Sequence, residues 1–202
     1  NVCKFIRKGR LVIGEINPMA EIMVDVKGKW VLVTGASRGV GRQIALFMAS
    51  RGASLILHSR SLEHTKEVFK EVSETGVQAL QVEAELSDPG SVENMLKTID
   101  DSGVQVDIVF NDAAVQIAYR TEYFKTPVED FTQSFMINTI APAMICYHFL
   151  PKMIERGFGR IINTTSGIRN EPEQAGYSSS KAALDKFTTD LSSVIEGTDV
   201  MM

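Results

Sequence analysis

From Lys29 onward, short apolar and β-branched runs alternate with longer stretches whose apolar positions recur every three or four residues. The runs at 30–35 (WVLVTG), 54–59 (SLILHS), 77–82 (VQALQV), 106–111 (VDIVFN) and 160–165 (RIINTT) predict five strands. Each is nearly continuously hydrophobic, as a strand covered on both faces should be. A further apolar run begins at Val200. Gly52, Gly76, Gly157 and Gly197 follow helical stretches, where a left-handed C-terminal residue is favoured. In the run 126–129, Thr126 reads as an N-cap, Pro127 as the first helical residue and Glu129 as the capping-box acid. Strands alternating with helices predict an α/β fold with a doubly wound parallel sheet.

Residues 1–28 have no clear period and read as an N-terminal extension or arm, which leaves 29–202 as a single domain. With 44% hydrophobic residues among 202, the chain has ample material for one core. The net charge of −4, with cations scattered among acids, argues against nucleic-acid and membrane-surface partners and favours small molecules. Cys3 and Cys146 have no metal-ligand spacing, and two distant thiols fit a reducing compartment, with the cytoplasm as the default. No apolar run approaches the roughly 18 residues of a membrane span. His58, His64 and His148 read as a strand end, a solvated helix position and a packed helix position, and no metal site is predicted. Asp100 and Asp101 read as a local acidic pair without a partner group.

The chemistry starts directly after the first of these strands, with TGASRGVG at 34–41 leading into a helical run. Glycines in a strand-turn-helix context let backbone N–H groups and the positive helix end meet a pyrophosphate with no Cβ in the way. Glycine turns also serve simply to pack a helix closely on a strand; the context here favours dinucleotide binding. Further along, Tyr177 and Lys181 are four residues apart on a predicted helix and share one face. A nearby ammonium favours the phenolate of a tyrosine whose free pKa is about 10, which fits it to exchange a proton at an oxygen. Such a pair alone also occurs on ordinary exposed helix turns.

The TGxxxGxG spacing of Gly35, Gly39 and Gly41 resembles that of the short-chain dehydrogenase/reductase family, and the resemblance extends over about 29–202. It implies a Rossmann-type fold and a nicotinamide cofactor bound by Gly35, Ser37, Arg38, Gly39, Val40 and Gly41. At the end of the second strand, neutral Ser59 stands where an acid would select NAD, followed by Arg60. Either Arg38 or Arg60 alone reads as a solvated charge. Together, with no acid at 59, they resemble the paired cations that clamp a 2′-phosphate, which implies NADP(H) in preference to NAD(H).

Glu85 and Leu86 resemble the adenine-contacting segment, with Glu in place of the usual Asp. Asn111, Asp112, Ala113 and Ala114 resemble the NNAG motif, with Asp and Ala replacing its second Asn and its Gly. Ser166 resembles the serine that bonds the substrate oxygen, and Asn138 the asparagine that stabilises a helix irregularity and supports a proton relay to the lysine. With Tyr177 and Lys181 they complete the implied catalytic set. The implied reaction interconverts a carbonyl and an alcohol, with 3-oxoacyl-acyl-carrier-protein reductases the nearest resemblance. Sugar, polyol and steroid dehydrogenases share these motifs, and a nucleotide binder without turnover remains an alternative. The resemblance also implies a homo-dimer or homo-tetramer. Family members continue past a sixth strand at Val200 for roughly 40 to 60 residues, through a lid and a last strand, so the domain is expected to extend beyond Met202.

Overall fold

The computed structural model describes residues 2–7, 10–15 and 25–202. Val2–Arg7 (β1) and Arg10–Glu15 (β2) pair antiparallel, in a segment whose sequence offered no period. The main sheet contains Trp30–Val33 (β3), Ser54–Ser59 (β4), Ala79–Glu83 (β5), Val106–Asn111 (β6), Gly159–Asn163 (β7) and Val200–Met201 (β8). All its pairings are parallel, in the order β5-β4-β3-β6-β7-β8.

Side chains alternate across each strand, and both sets are apolar, so the sheet is covered on both sides. Val31, Val33, Leu55, Leu57 and Ile108 face Gly39–Ser50 (α1) and Leu62–Glu74 (α2). Leu32, Ile56, Val82, Val109 and Ile161 pack in the other layer, with Pro89–Asp101 (α3) and Ala141–Arg156 (α5). The chain winds outward from β3 through β4 to β5, then returns to β6 on the other side of β3. That reversal leaves a crevice beyond the carboxyl ends of β3 and β6, where a doubly wound sheet binds ligands.

The predicted glycine helix ends are present: Gly52, Gly76, Gly157 and Gly197 all have φ between 72° and 84°. The capping box is not. Val128–Phe135 (α4) begins one residue later, with Pro127 as its N-cap, and the Thr126 hydroxyl donates back to the Tyr123 carbonyl to close the preceding 3-10 turn. Asp100 also differs from expectation, because it accepts from Lys152 and lies 3.1 Å from the His148 ring nitrogen, clasping α3 to α5.

Between α4 and α5 the helical path is broken by a π turn, Met136–Ile140. Pro142 has no N–H to return to the Asn138 carbonyl, so the regular ladder loses a bond where the turn widens. The wider turn directs Asn138 and Thr139 toward Ala175–Ser192 (α6), where Thr139 donates to the Ser180 carbonyl at 2.8 Å.

Candidate active site

The crevice holds a cavity of about 700 Å³ lined on one side by Gly35, Ser37, Arg38, Gly39, Ser59 and Arg60, and on the other by Glu85, Leu86, Asp112, Ala113 and Val115. Its floor is fixed by close contact. Gly35 has φ +71°, and a Cβ there would lie 2.9 Å from the Ala113 Cα; a Cβ on Gly41 would lie 2.4 Å from the Gly35 carbonyl oxygen. Gly39 also has positive φ but faces open space, as a turn that receives a ligand should. α1 starts from Arg38 without a side-chain cap, so its first N–H groups point outward unclaimed by any side chain.

Two polar residues hold this turn. The Thr34 hydroxyl donates to Phe110 O at 3.3 Å and accepts the N–H groups of Asp112 and Ala113 at 3.0 and 3.1 Å. His58 is 1% exposed; its Nδ1 accepts from Gly35 N at 3.3 Å and its Nε2 donates to Ala84 O at 3.2 Å. Burial pushes the imidazole down to about 4, so it is neutral and its tautomer is set by these two partners. A polar ring one residue before the end of a wholly buried strand was the available signal for His58. The reading of it as a strand end gave its place but not this role.

The expected cofactor residues separate into groups. Arg38 and Arg60 are exposed on the cavity wall, whereas Arg42, Arg120 and Arg160 are held in ion pairs elsewhere. Ser59 is buried and donates to Ser61 O. Glu85 folds back to accept from Ser87, leaving Leu86 buried at the wall. Val40 is exposed on the first turn of α1. His64, read as a solvated helix position, is exposed and lines the same cavity. Asn111 lies within the sheet, donating to Asn163 at 2.8 Å, and does not line the cavity.

Beyond Val115 the construction changes. Asn138 is fully buried, and its amide pairs with the Val115 peptide, accepting from its N–H at 2.8 Å and donating to its carbonyl at 2.9 Å. It also donates to Ser180 Oγ at 3.0 Å, so one side chain ties the loop after β6 to α6. Lys181 is 2% exposed and donates to Thr164 O at 2.5 Å. Burial holds its ammonium below the usual lysine range, and the Asp112 carboxylate opposes that effect.

Tyr177 precedes Lys181 by one helical turn and is half-buried; among the described residues its hydroxyl has no hydrogen-bond partner. Ser166 is half-buried, and its hydroxyl accepts from Ile168 N at 3.3 Å. Ser166, Tyr177 and Lys181 stand at the same carboxyl edge of the sheet as the glycine turn, outside the cavity lining. Asn138 makes no direct bond to Lys181; its partners are Val115 and Ser180. Among the described residues, no cluster of three His, Cys, Asp or Glu could hold a metal ion, and no helix is long and apolar enough to cross a membrane.

Comparison with known proteins places this geometry. The family model described as short chain dehydrogenase matches residues 29–201, and the chain belongs to that family. A short-chain type dehydrogenase/reductase of Picea abies is 30% identical over 182 residues, covering 86% of this chain and 67% of the relative. A 3-oxoacyl-acyl-carrier-protein reductase of Aquifex aeolicus is 31% identical over 183 residues, covering 89% and 73%. Other curated relatives are matched over as little as 51% of their length. Among solved structures, a metagenomic short-chain oxidoreductase in complex with NADP superposes with a TM-score of 0.79 at 27% identity, covering 88% of this chain and 80% of that one. A xylitol dehydrogenase bound to NAD+ gives the same score and identity, covering 88% and 68%.

Proposed function

We propose that this member of the short-chain dehydrogenase family is an oxidoreductase that interconverts a carbonyl and an alcohol with NADP(H). The observation that carries the reading is the buried Lys181 one turn from the unengaged hydroxyl of Tyr177, on the same sheet edge as an uncapped glycine-turn helix. A lysine inside a protein is costly unless its charge has work to do.

The fit to a dinucleotide rests on the open space above Gly39, the first N–H groups of α1 and the cavity running past Leu86. The first turn of α1 would receive the pyrophosphate, and Arg38 and Arg60 would hold a 2′-phosphate. When bound, the cofactor supplies or accepts the hydride. In the reducing direction Tyr177 gives its proton to the carbonyl oxygen, and the Ser166 hydroxyl donates a hydrogen bond to that oxygen as charge develops. Lys181 stabilises the phenolate that remains, and Asn138 keeps α6 and the Val115 loop in register. Relatives named as 3-oxoacyl reductases support a 3-oxoacyl thioester as the first substrate to try. We also propose that the active species is a homo-oligomer, as the family resemblance implies.

The test is NADPH consumption with a panel of 3-oxoacyl thioesters, ketones and sugars, alongside titrations with NADPH and NADH. The expected result is tighter NADPH binding and turnover that disappears in Tyr177→Phe. Binding with no turnover of any carbonyl compound would favour a nucleotide sensor instead.

A further inference from the structure

Where the two halves of the site meet there is a carboxylate that the mechanism above does not use. Asp112 follows β6 directly, and its backbone N–H is fixed by the Thr34 hydroxyl. Its Oδ1 accepts from Thr164 Oγ1 at 3.0 Å. Thr164 in turn is held to β6 by its own N–H, which donates to Asn111 O at 3.1 Å, and offers its carbonyl to Lys181 Nζ. One threonine therefore joins the acid through its side chain to the base through its main chain. The other carboxylate oxygen reaches the start of α1, 3.1 Å from where a Gly41 Cβ would stand.

We propose that Asp112 is a positioning residue for Lys181: with Thr164 as the bridge, it is the counter-charge that lets the lysine carry its ammonium inside the protein. This rests on the reading of Lys181 as part of the reactive set.

The physical need is plain. An ammonium has three donors, and a neutral carbonyl compensates its burial only in part; a nearby anion supplies the rest. Burial lowers the lysine pKa and the Asp112 charge opposes that effect. The other groups on elements packed around α6 do not substitute. Asp130 on α4 is bound by the Arg120 guanidinium at 2.6 and 3.0 Å. The Cys146 thiol on α5 is pushed up to about 12 by burial and stays neutral. Arg160 on β7 binds Asp199 beside the opening of that strand. Glu173, before α6, accepts the Arg120 backbone N–H with its main-chain carbonyl, and its carboxylate makes no bond to Lys181 among the described residues. On α6 itself, Tyr177 is the group the lysine acts upon, and Asp185 is exposed.

The same carboxylate lines the cavity beside the glycine turn, so it also repels an anionic ligand there. Asp112 then has a signature that a merely structural residue lacks. Replacing it by the isosteric amide should weaken the charge on Lys181 and strengthen dinucleotide binding at once.

The experiment follows the 13Cε resonance of Lys181 against pH in the cofactor-free chain labelled with 13C-lysine, assigned by its loss in Lys181→Met. In Asp112→Asn the midpoint is expected about 1 lower in pH, and NADPH binding severalfold tighter. Asp112→Ser, which removes the charge with a smaller side chain, should lower the midpoint similarly and serves if the amide variant does not fold. A midpoint unmoved in whichever variant folds, judged by its melting temperature, overturns the proposal. Because the titration needs neither cofactor nor turnover, its outcome is separate from that of the hydride-transfer reading, which falls if Tyr177→Phe turns over normally.

Discussion

Around Gly35 the site is made of backbone packed against backbone, with its charged groups, Arg38 and Arg60, left outside in solvent. Around Lys181 the arrangement is inverted: the charge is inside, and amide, hydroxyl and carbonyl groups are built round it while Tyr177 and Ser166 stay partly open. In the proposed function the first region recognises by shape, because a phosphate chain needs donors and clearance more than chemistry. In the proposed function the second serves one proton transfer, with its buried charge kept away from water.

The sharpest way to separate them is Tyr177→Phe. Turnover should fall roughly 10^3-fold, while NADPH affinity, measured by nicotinamide fluorescence, stays within about twofold. Equal losses in both would merge the two regions into one. Gly41→Ala attacks the other side. Its Cβ would stand 2.4 Å from the Gly35 carbonyl oxygen, so the turn must shift. NADPH binding should weaken about 100-fold, with a loss of up to about 3 kcal/mol in stability by urea unfolding.

Asn138→Ala removes three buried hydrogen bonds and leaves the Val115 peptide unpaired. A loss of about 2 to 4 kcal/mol is expected, with faster amide exchange at Val115. An unchanged exchange rate there would show that the loop is held by something else.

His58 makes the glycine side sensitive to acid. Between its ordinary value of 6.5 and its folded value of about 4, the unfolded chain takes up a proton that the folded chain refuses. Its contribution is complete above pH 6.5 and is lost as pH falls toward 4, a span of about 3 kcal/mol. His58→Gln should flatten the dependence of the unfolding midpoint on pH in that window, and an unaltered slope would assign acid sensitivity to other groups.

The smallest effects belong to the exposed cations. Arg38→Ala and Arg60→Ala should each reduce the NADPH preference over NADH by about tenfold, with little change in melting temperature. A drop in stability instead would mean that these arginines serve the fold.

The alternation of short apolar runs with helical periods was enough to read the parallel sheet, and glycines at helix ends were legible because only a residue without Cβ tolerates positive φ cheaply. The position of the glycine turn before a helix and the placing of Tyr177 and Lys181 one turn apart on a helix were legible for a related reason, since each depends on neighbours close in sequence. Position along the chain could not reveal what depends on distant partners. His58 looked like a strand end because Gly35 and Ala84 are remote in sequence, and Asp112 looked like a departure from a motif because Thr164 and Lys181 lie on other elements. Thr126 looked like a cap, but the local turn at Tyr123 claimed its hydroxyl. Sequence determined which backbone forms were possible and where the candidate groups lie along the chain. Tertiary structure alone decided which polar groups meet inside it, because a buried charge or hydrogen bond takes its energy from partners that folding brings together.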